Sequence, residues 1–382
     1  LTILDHIPGE FYLREAIDTP SLILDLDILE RNLDAMSELC SKNGVSLQPH
    51  AKTHRTPEIG KLQIERGADG LCVAKLGEAE GFAKAGIKTI TVGFPIIGEN
   101  KALRALKLKK STNLTLGTDS FAGAESLGKV FAANNEIINL LLIIDSGLGR
   151  DGVKQKDAAG VAQAINKIEG VNLVGVMTHE GIVYGAKDKA ELELLARQAA
   201  QMMVTTSNLI KAAGVKISRV SMGASASARI VVTEPDVTQI RPGIFAFNDL
   251  GQIALGNATV NECAIRVLAS VVSHTSDSTA VIDAGSKTLS QDGLPARSHL
   301  SEYPGHGMLV GYPGWILEKL SEEHGTLKWV GNSKPTPVTI GEKIQIIPNH
   351  VCTVFSSLNE CVAIRDGHIQ GVWRTLAPGA SR

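Results

Sequence analysis

From Asp18 to about Gly256 the chain alternates short β-branched runs with longer segments of helical periodicity. Nothing else in the sequence constrains the fold as strongly, because repeated βα units bury a parallel sheet beneath helices. An opening strand at Ser21–Leu26 and an amphipathic helix over Asp27–Asn43 come first. Strands are then predicted at Ser46–Lys52, Gly70–Lys75, Thr89–Gly93, Asn113–Asp119, Asn139–Ser146, Asn172–His179, Ile217–Gly223 and Thr238–Phe247, with helical stretches between them. Eight such units close a barrel. The expected fold class is α/β, a TIM-like (β/α)8 barrel.

Beyond Asn257 the helical periodicity fades. Alternating strands are predicted at Cys263–His274, Ala280–Ala284, Thr326–Val330, Lys343–Ile347 and Val362–Ile364, so a mostly β C-terminal domain follows the barrel. The expected boundaries are 19–256 for the barrel and 257–382 for the β domain, with residues 1–18 packing against the latter. Two domains also suit a chain of 382 residues, which exceeds the roughly 250–300 at which single cores stop growing. Leu289–Trp315, rich in Gly, Pro, Ser and His, reads as long loops.

Charge excludes one class of partner. Lysine plus arginine number 38 against 40 aspartate plus glutamate, so the strongly basic surface of a nucleic-acid binder is missing. The most apolar stretch, Ile137–Ile144, is far shorter than the ~20 residues of a membrane span, so no membrane partner is expected. The five cysteines are scattered, without a C-x-x-C pair, which suggests a reducing compartment rather than a disulfide framework. Residues 1–9 lack the pattern of a signal peptide. The expectation is a soluble, cytoplasmic protein.

In a βα barrel, functional groups gather at the C-terminal ends of the strands. The first barrel strand runs Pro49-His50-Ala51-Lys52-Thr53-His54, and alternation puts His50, Lys52 and His54 on one face. A lysine in a barrel mouth suits Schiff-base chemistry, since burial lowers its pKa; a solvated lysine at a strand end is the other reading. The fifth strand ends in the glycine-rich turn Asp145–Val153, which carries Arg150. The sixth ends at His179, placed to stack on a planar ring or to hydrogen-bond within the core. After the seventh and eighth strands come Gly223-Ala224-Ser225 and Arg241-Pro242-Gly243-Ile244, short loops able to cradle a phosphate. In the β domain, His350 and Cys352 share one face if extended, and imidazole with thiolate makes a good Zn²⁺ pair; the alternative is a buried cysteine beside a hydrogen-bonded histidine.

This combination resembles the fold-type III pyridoxal phosphate enzymes, whose members include alanine racemase, over nearly the whole chain. The resemblance implies pyridoxal 5'-phosphate as cofactor, bound covalently by Lys52. It places Arg150 near the phenolic oxygen, His179 on the ring face, and Gly223, Ser225, Gly243 and Ile244 around the phosphate; Tyr184 joins this set. Pro49–His54, Asp283-Ala284-Gly285, Glu323-His324-Gly325 and His350-x-Cys352 resemble motifs of the branch containing D-threonine aldolase, D-serine dehydratase and D-threo-3-hydroxyaspartate dehydratase. That branch implies a homodimer and a divalent metal at His350 and Cys352, Zn²⁺ first, with Mn²⁺ or Co²⁺ as alternatives.

Aldolases of the branch carry His-x-Asp and a Gly-Gly-Gly-Thr-Gly loop. Here stand His350-Val351-Cys352 and Met222-Gly223-Ala224-Ser225, closer to the dehydratases, while the lysine motif and the tail Val362–Gly367 lean towards the aldolases. The expected activity is therefore a lyase of D-3-hydroxy amino acids, dehydratase in type. In the aldolase alternative, His54 is the nearest base. A racemase is a poorer fit, because no Gly-Tyr-Ala-Asp-Gly-like stretch supplies a second acid, and a non-enzymatic pyridoxal phosphate carrier would not need the β domain.

Overall fold

The computed structural model describes residues 16–294 and 305–376. They divide into two compact units, residues 34–243 with Leu376, and residues 16–33 with 244–375.

Strand β1 (Ser21–Asp25) is the first among the described residues and is followed by eight parallel strands: β2 (Ser46–Leu47), β3 (Leu71–Val73), β4 (Thr89–Pro95), β5 (Asn113–Thr118), β6 (Ile138–Ile143), β7 (Val171–Met177), β8 (Arg219–Met222) and β9 (Gln239–Ile240). Their order in the sheet is β2-β9-β8-β7-β6-β5-β4-β3. A parallel bridge between His50 and Cys72, with the Cys72 N–H donated to Pro49 O at 2.9 Å, joins the two ends and closes the barrel. These strands are mostly buried along their length because helices cover one face and the barrel interior the other. Sequence also sets the helix starts. Pro57 begins the helix Pro57–Glu65, where an N–H has no partner to lose. Ser120 and Asp188 cap their helices by accepting the N–H of Gly123 and of Glu191.

The first and last barrel strands are shorter than predicted. β2 stops at Leu47 instead of reaching Lys52, and β9 stops at Ile240 instead of Phe247. Pro49 and Pro242 explain both, since neither has an N–H to donate to a ladder. The face shared by His50, Lys52 and His54 does not form, because residues Ala51–Thr53 make a 3₁₀ turn.

In the second unit, β1 pairs antiparallel with β10 (Ile265–Ser276) and parallel with β16 (Glu360–Arg365). Its Ile23 packs with Ile17, Leu268, Val362 and Ile364. The sheet continues through β11 (Thr279–Ile282), β12 (Gly307–Leu309), β13 (Trp315–Leu320), β14 (Gly325–Trp329), β15 (Lys343–Pro348) and β17 (His368–Arg374). Strands β12, β13 and β17 were not expected, and β12 lies inside the stretch read as loops; residues 295–304 of that stretch, and 1–15 at the start, lie outside the described residues. The division falls after residue 243 rather than 256, and residues 16–33 join the β unit. Hydrogen bonds give the reason: Ala264 N–H reaches Phe247 O at 2.7 Å, Gly251 N–H reaches Asn349 O at 3.1 Å, and Val351 N–H reaches Asp249 Oδ2 at 3.0 Å. The Asp283–Gly285 and Glu323–Gly325 motifs form one corner, where Ser286 N–H meets Ser321 O at 2.8 Å and Lys287 N–H meets Glu322 O at 3.1 Å.

All five cysteines are free thiols. Among the described residues no helix is long and apolar enough to cross a membrane.

Candidate active site

Lys52, Arg150, His179, Ser225 and Gly243 all follow the C-terminal ends of barrel strands, so they belong to one mouth. Lys52 is half-buried in the middle of the 3₁₀ turn, between buried Ala51 and Thr53. That turn is anchored on its far side, where Arg55 Nε donates to Glu78 Oε1 at 2.8 Å. A short stiff turn aims a long side chain better than a fraying strand end.

The two histidines beside it differ. His54 is buried with its ring centroid 6.1 Å from that of Phe82 in an edge-to-face arrangement, and its Nδ1 accepts the Thr56 N–H at 3.0 Å. Burial pushes its pKa down to about 3. His50 is also buried, and its pKa lies well below the usual value, first through burial and then through the cations of Lys52, Arg241 and Arg150. Its buried Nδ1 has no hydrogen-bond partner among the described residues. A buried polar atom left open beside three cationic side chains is what an anionic, hydrogen-bonding ligand would complete.

Asp145 Oδ1 accepts the N–H of Gly147 and of Gly149, each at 3.0 Å, and so shapes the turn that carries Arg150, which is exposed with Nε 3.3 Å from Asp151. His179 Nδ1 lies 2.8 Å from Gly223 O, and since a carbonyl only accepts, Nδ1 carries the hydrogen. Burial lowers the His179 pKa, so its ring is neutral. The Tyr184 ring lies 6.4 Å from it, tilted by 37°.

The loops after β8 and β9 are tied together, with the Gly243 N–H on Ser225 Oγ at 3.0 Å. A Cβ at Gly223 would come within 2.7 Å of the Arg241 guanidinium, and one at Gly243 within 2.5 Å of Thr53 Oγ1, so both positions require glycine for close approach. The expected phosphate cradle needs one correction. Gly223 N–H and Ala224 N–H already bond the fully buried Glu180 carboxylate, at 2.9 and 3.1 Å, so they are not open to a phosphate. Ile244 follows as the first residue of the turn Ile244–Ala246.

Two residues escaped the sequence reading, Glu180 and Arg241, and His50, placed beside Lys52, was given no role of its own. Arg241 is buried in the barrel, its Nε on Ser221 Oγ at 2.8 Å and an Nη on Thr178 O at 2.5 Å. Nothing about an arginine ahead of Pro-Gly announces a buried cation. Glu180 could have been suspected, because a glutamate at a predicted strand end must find buried donors.

In the β unit, His350 is the N-cap of the helix Val351–Ser357, so His350 and Cys352 are not consecutive outward positions of a strand as expected. The helical turn nevertheless brings the Cys352 sulfur within hydrogen-bonding reach of the imidazole. Burial opposes charge on His350, but Cys352, Asp249 and Asp292 outweigh it and raise its pKa to about 10. Among the described residues no group of three His, Cys, Asp or Glu side chains forms a ligand set. An imidazole beside a sulfur still fits a borderline divalent ion with positions left for exchangeable ligands.

A closed parallel barrel with a lysine turn, glycine loops at the same mouth and a β unit defines a fold-type III pyridoxal phosphate enzyme. The chain belongs to the family of the alanine racemase N-terminal domain, whose model matches residues 24–250, and the model described as a putative serine dehydratase domain matches residues 264–364. It is 29% identical to the D-threonine aldolase of Arthrobacter sp., covering 98% of this chain and 96% of that one. It is equally 29% identical to the D-threo-3-hydroxyaspartate dehydratase of Delftia sp. (strain HT23), covering 94% of this chain and 97% of the relative. A solved structure of a D-threo-3-hydroxyaspartate dehydratase cysteine-to-alanine variant, described as metal-free, superposes with a TM-score of 0.89 at 28% identity, over 96% of this chain and 99% of the other.

Proposed function

We propose that this pyridoxal phosphate-dependent lyase of D-3-hydroxy amino acids is a dehydratase, converting D-serine, D-threonine or D-threo-3-hydroxyaspartate into a 2-oxo acid and ammonia. One observation carries the choice: the residue two positions after His350 and within reach of its imidazole is Cys352, where the aldolase motif has an aspartate. Overall similarity does not choose, since an aldolase and a dehydratase are equally close. His54 adds support, because a retro-aldol needs a base for the substrate hydroxyl, and an imidazole with a pKa of about 3 facing Phe82 holds a proton poorly.

Lys52, Arg150, His179, Tyr184, Ser225, Gly243 and Ile244 would hold pyridoxal phosphate, and Gly223 keeps its place for close packing. Bound there, the cofactor supplies an electron sink for the α-carbon. The Lys52 amine takes the α-proton of the substrate. His179, held neutral by burial and oriented by Gly223 O, offers an uncharged ring face. Arg241 and Arg150 provide fixed positive charge for an anionic cofactor and a substrate carboxylate. His350 and Cys352 would hold a divalent metal, Zn²⁺ first and Mn²⁺ or Co²⁺ next, which supplies Lewis-acid activation of a departing hydroxyl. The metal-free form reported for a cysteine variant of a dehydratase relative supports that pair.

A homodimer is part of the proposal. Phe94, Ile97, Phe121, Leu148 and Ile182 are exposed apolar side chains at the C-terminal ends of neighbouring barrel strands, a patch a second copy would cover. The free thiols support a reducing location such as the cytoplasm.

Product analysis with D-threonine tests the reaction. The expected products are 2-oxobutyrate and ammonia. Glycine with acetaldehyde would replace the dehydratase by the aldolase, L-allo-threonine, inverted at the α-carbon alone, by a racemase, and no product from the pyridoxal-loaded protein by a carrier.

A further inference from the structure

His350 is held by a carboxylate that the catalytic roles above leave unused. Asp292 Oδ2 lies 2.7 Å from His350 Nδ1, and because a carboxylate oxygen only accepts, Nδ1 carries the hydrogen. In the neutral ring that leaves the lone pair on Nε2.

An exposed pair of this kind contributes little stability by itself, and these side chains are 39% and 42% exposed. The surrounding bonds nevertheless hold it in place. Asn349, next to His350, donates its side-chain amide to Asp292 O at 3.0 Å and to Gly305 O at 3.1 Å. Ser290 Oγ accepts the Asp292 N–H at 3.1 Å and lies 3.2 Å from Thr353 Oγ1. Ser290 sits at φ +60°, a conformation that costs a serine energy and persists only where contacts enforce it. From below, the buried Asp249 carboxylate takes the Val351 N–H at 3.0 Å and the Gln252 N–H at 2.9 Å. Both the histidine turn and the aspartate turn are therefore fixed before any metal arrives.

We infer that Asp292 is a positioning residue of the metal site, locking the ring orientation and tautomer of His350 so that Nε2 is offered to a divalent ion together with the Cys352 sulfur. The inference rests on the proposal that His350 and Cys352 hold the metal. A site with two protein ligands and no third among the described residues depends heavily on how well those two are oriented. Carboxylates that orient a metal-bound histidine are typically worth roughly 10–100-fold in affinity.

The test measures the Zn²⁺ dissociation constant of the pyridoxal-loaded enzyme by competition with a colorimetric chelator, for the native chain and for Asp292→Ala, Asp292→Asn and His350→Ala. Asp292→Ala should weaken Zn²⁺ binding by roughly 10–100-fold. Asp292→Asn should weaken it less, because an amide oxygen still accepts the Nδ1 hydrogen but carries no charge. The visible absorbance of the bound cofactor and the melting temperature of the metal-free protein should stay unchanged in both variants. Native Zn²⁺ affinity in Asp292→Ala, with His350→Ala defective, would overturn the positioning role while leaving the metal pair intact. Native affinity in His350→Ala would overturn the metal pair itself and the inference with it. A fall in the melting temperature of both metal-free Asp292 variants would make the residue a structural one and would also overturn it.

Discussion

The Glu180 carboxylate accepts the Ser227 hydroxyl at 2.6 Å. With Gly223 N–H and Ala224 N–H on the same carboxylate, at 2.9 and 3.1 Å, one fully buried side chain holds the whole loop after β8. That loop also carries Gly223 O, which orients His179, so the cofactor ring face and the phosphate loop share one support.

Glu180→Ala leaves the buried Gly223 and Ala224 N–H groups without this acceptor and the Ser227 hydroxyl with only the long bond to Ala224 O at 3.4 Å. The expected loss is about 2–4 kcal/mol of unfolding free energy, read by urea denaturation, together with weaker pyridoxal phosphate binding. Unchanged stability and cofactor affinity would show that the loop does not depend on Glu180.

Lys52→Ala should abolish the visible absorbance that lysine-bound pyridoxal phosphate gives the native protein. The side chain is half-buried on an anchored turn, and its removal exposes no core. A colourless native protein after reconstitution would contradict the cofactor assignment.

Chelation should remove turnover of D-threonine and leave the colour, because the lysine turn belongs to residues 34–243 and the His350–Cys352 pair to residues 244–375. Cys352→Ala should reproduce the effect of the chelator. Full turnover by chelated protein would remove the metal pair from the mechanism.

The buried His54 gives stability a pH dependence with a definite sign. Its folded pKa of about 3 lies below the ordinary 6.5, so the unfolded chain binds a proton that the folded chain refuses. This contribution is present above pH 6.5 and is lost as the pH falls towards 3. Between pH 7 and pH 5 the native chain should lose about 2 kcal/mol more than His54→Gln, measured by urea denaturation at each pH. Parallel pH profiles for the two proteins would show that His54 is not buried as described.

Ile97 is 55% exposed in the apolar patch of the barrel, so Ile97→Glu should leave the fold intact and shift the protein towards monomer in light scattering. A native chain that is monomeric at working concentration would rule out the second copy.

The alternation of apolar runs with helical periods determined the barrel by itself, because every buried parallel strand needs a covering helix whatever the rest of the chain does. The residue types at the strand ends likewise made Lys52, Arg150 and His179 visible, since chemistry at a barrel mouth draws on few side chains. Some signals were present and unused: Asp366-Gly367, with φ +48° and +77°, is a two-residue hairpin turn that joins β16 to β17, and Asp-Gly is a strong marker for it.

Other features had no local signal. Periodicity says that Ser21–Asp25 is a strand, but only long-range register sends it to β10 and β16 rather than to the barrel. The carboxylate of Glu180, the open Nδ1 of His50, the buried cation of Arg241 and the Asp292–His350 bond join residues 43, 191 and 58 positions apart in the case of Glu180 to Gly223, His50 to Arg241 and Asp292 to His350. Such pairings cost loop entropy to close and are repaid only when the whole chain has folded. Local preference therefore determined the elements and their end residues, while the tertiary structure decided which of those residues are charged, buried or held for chemistry.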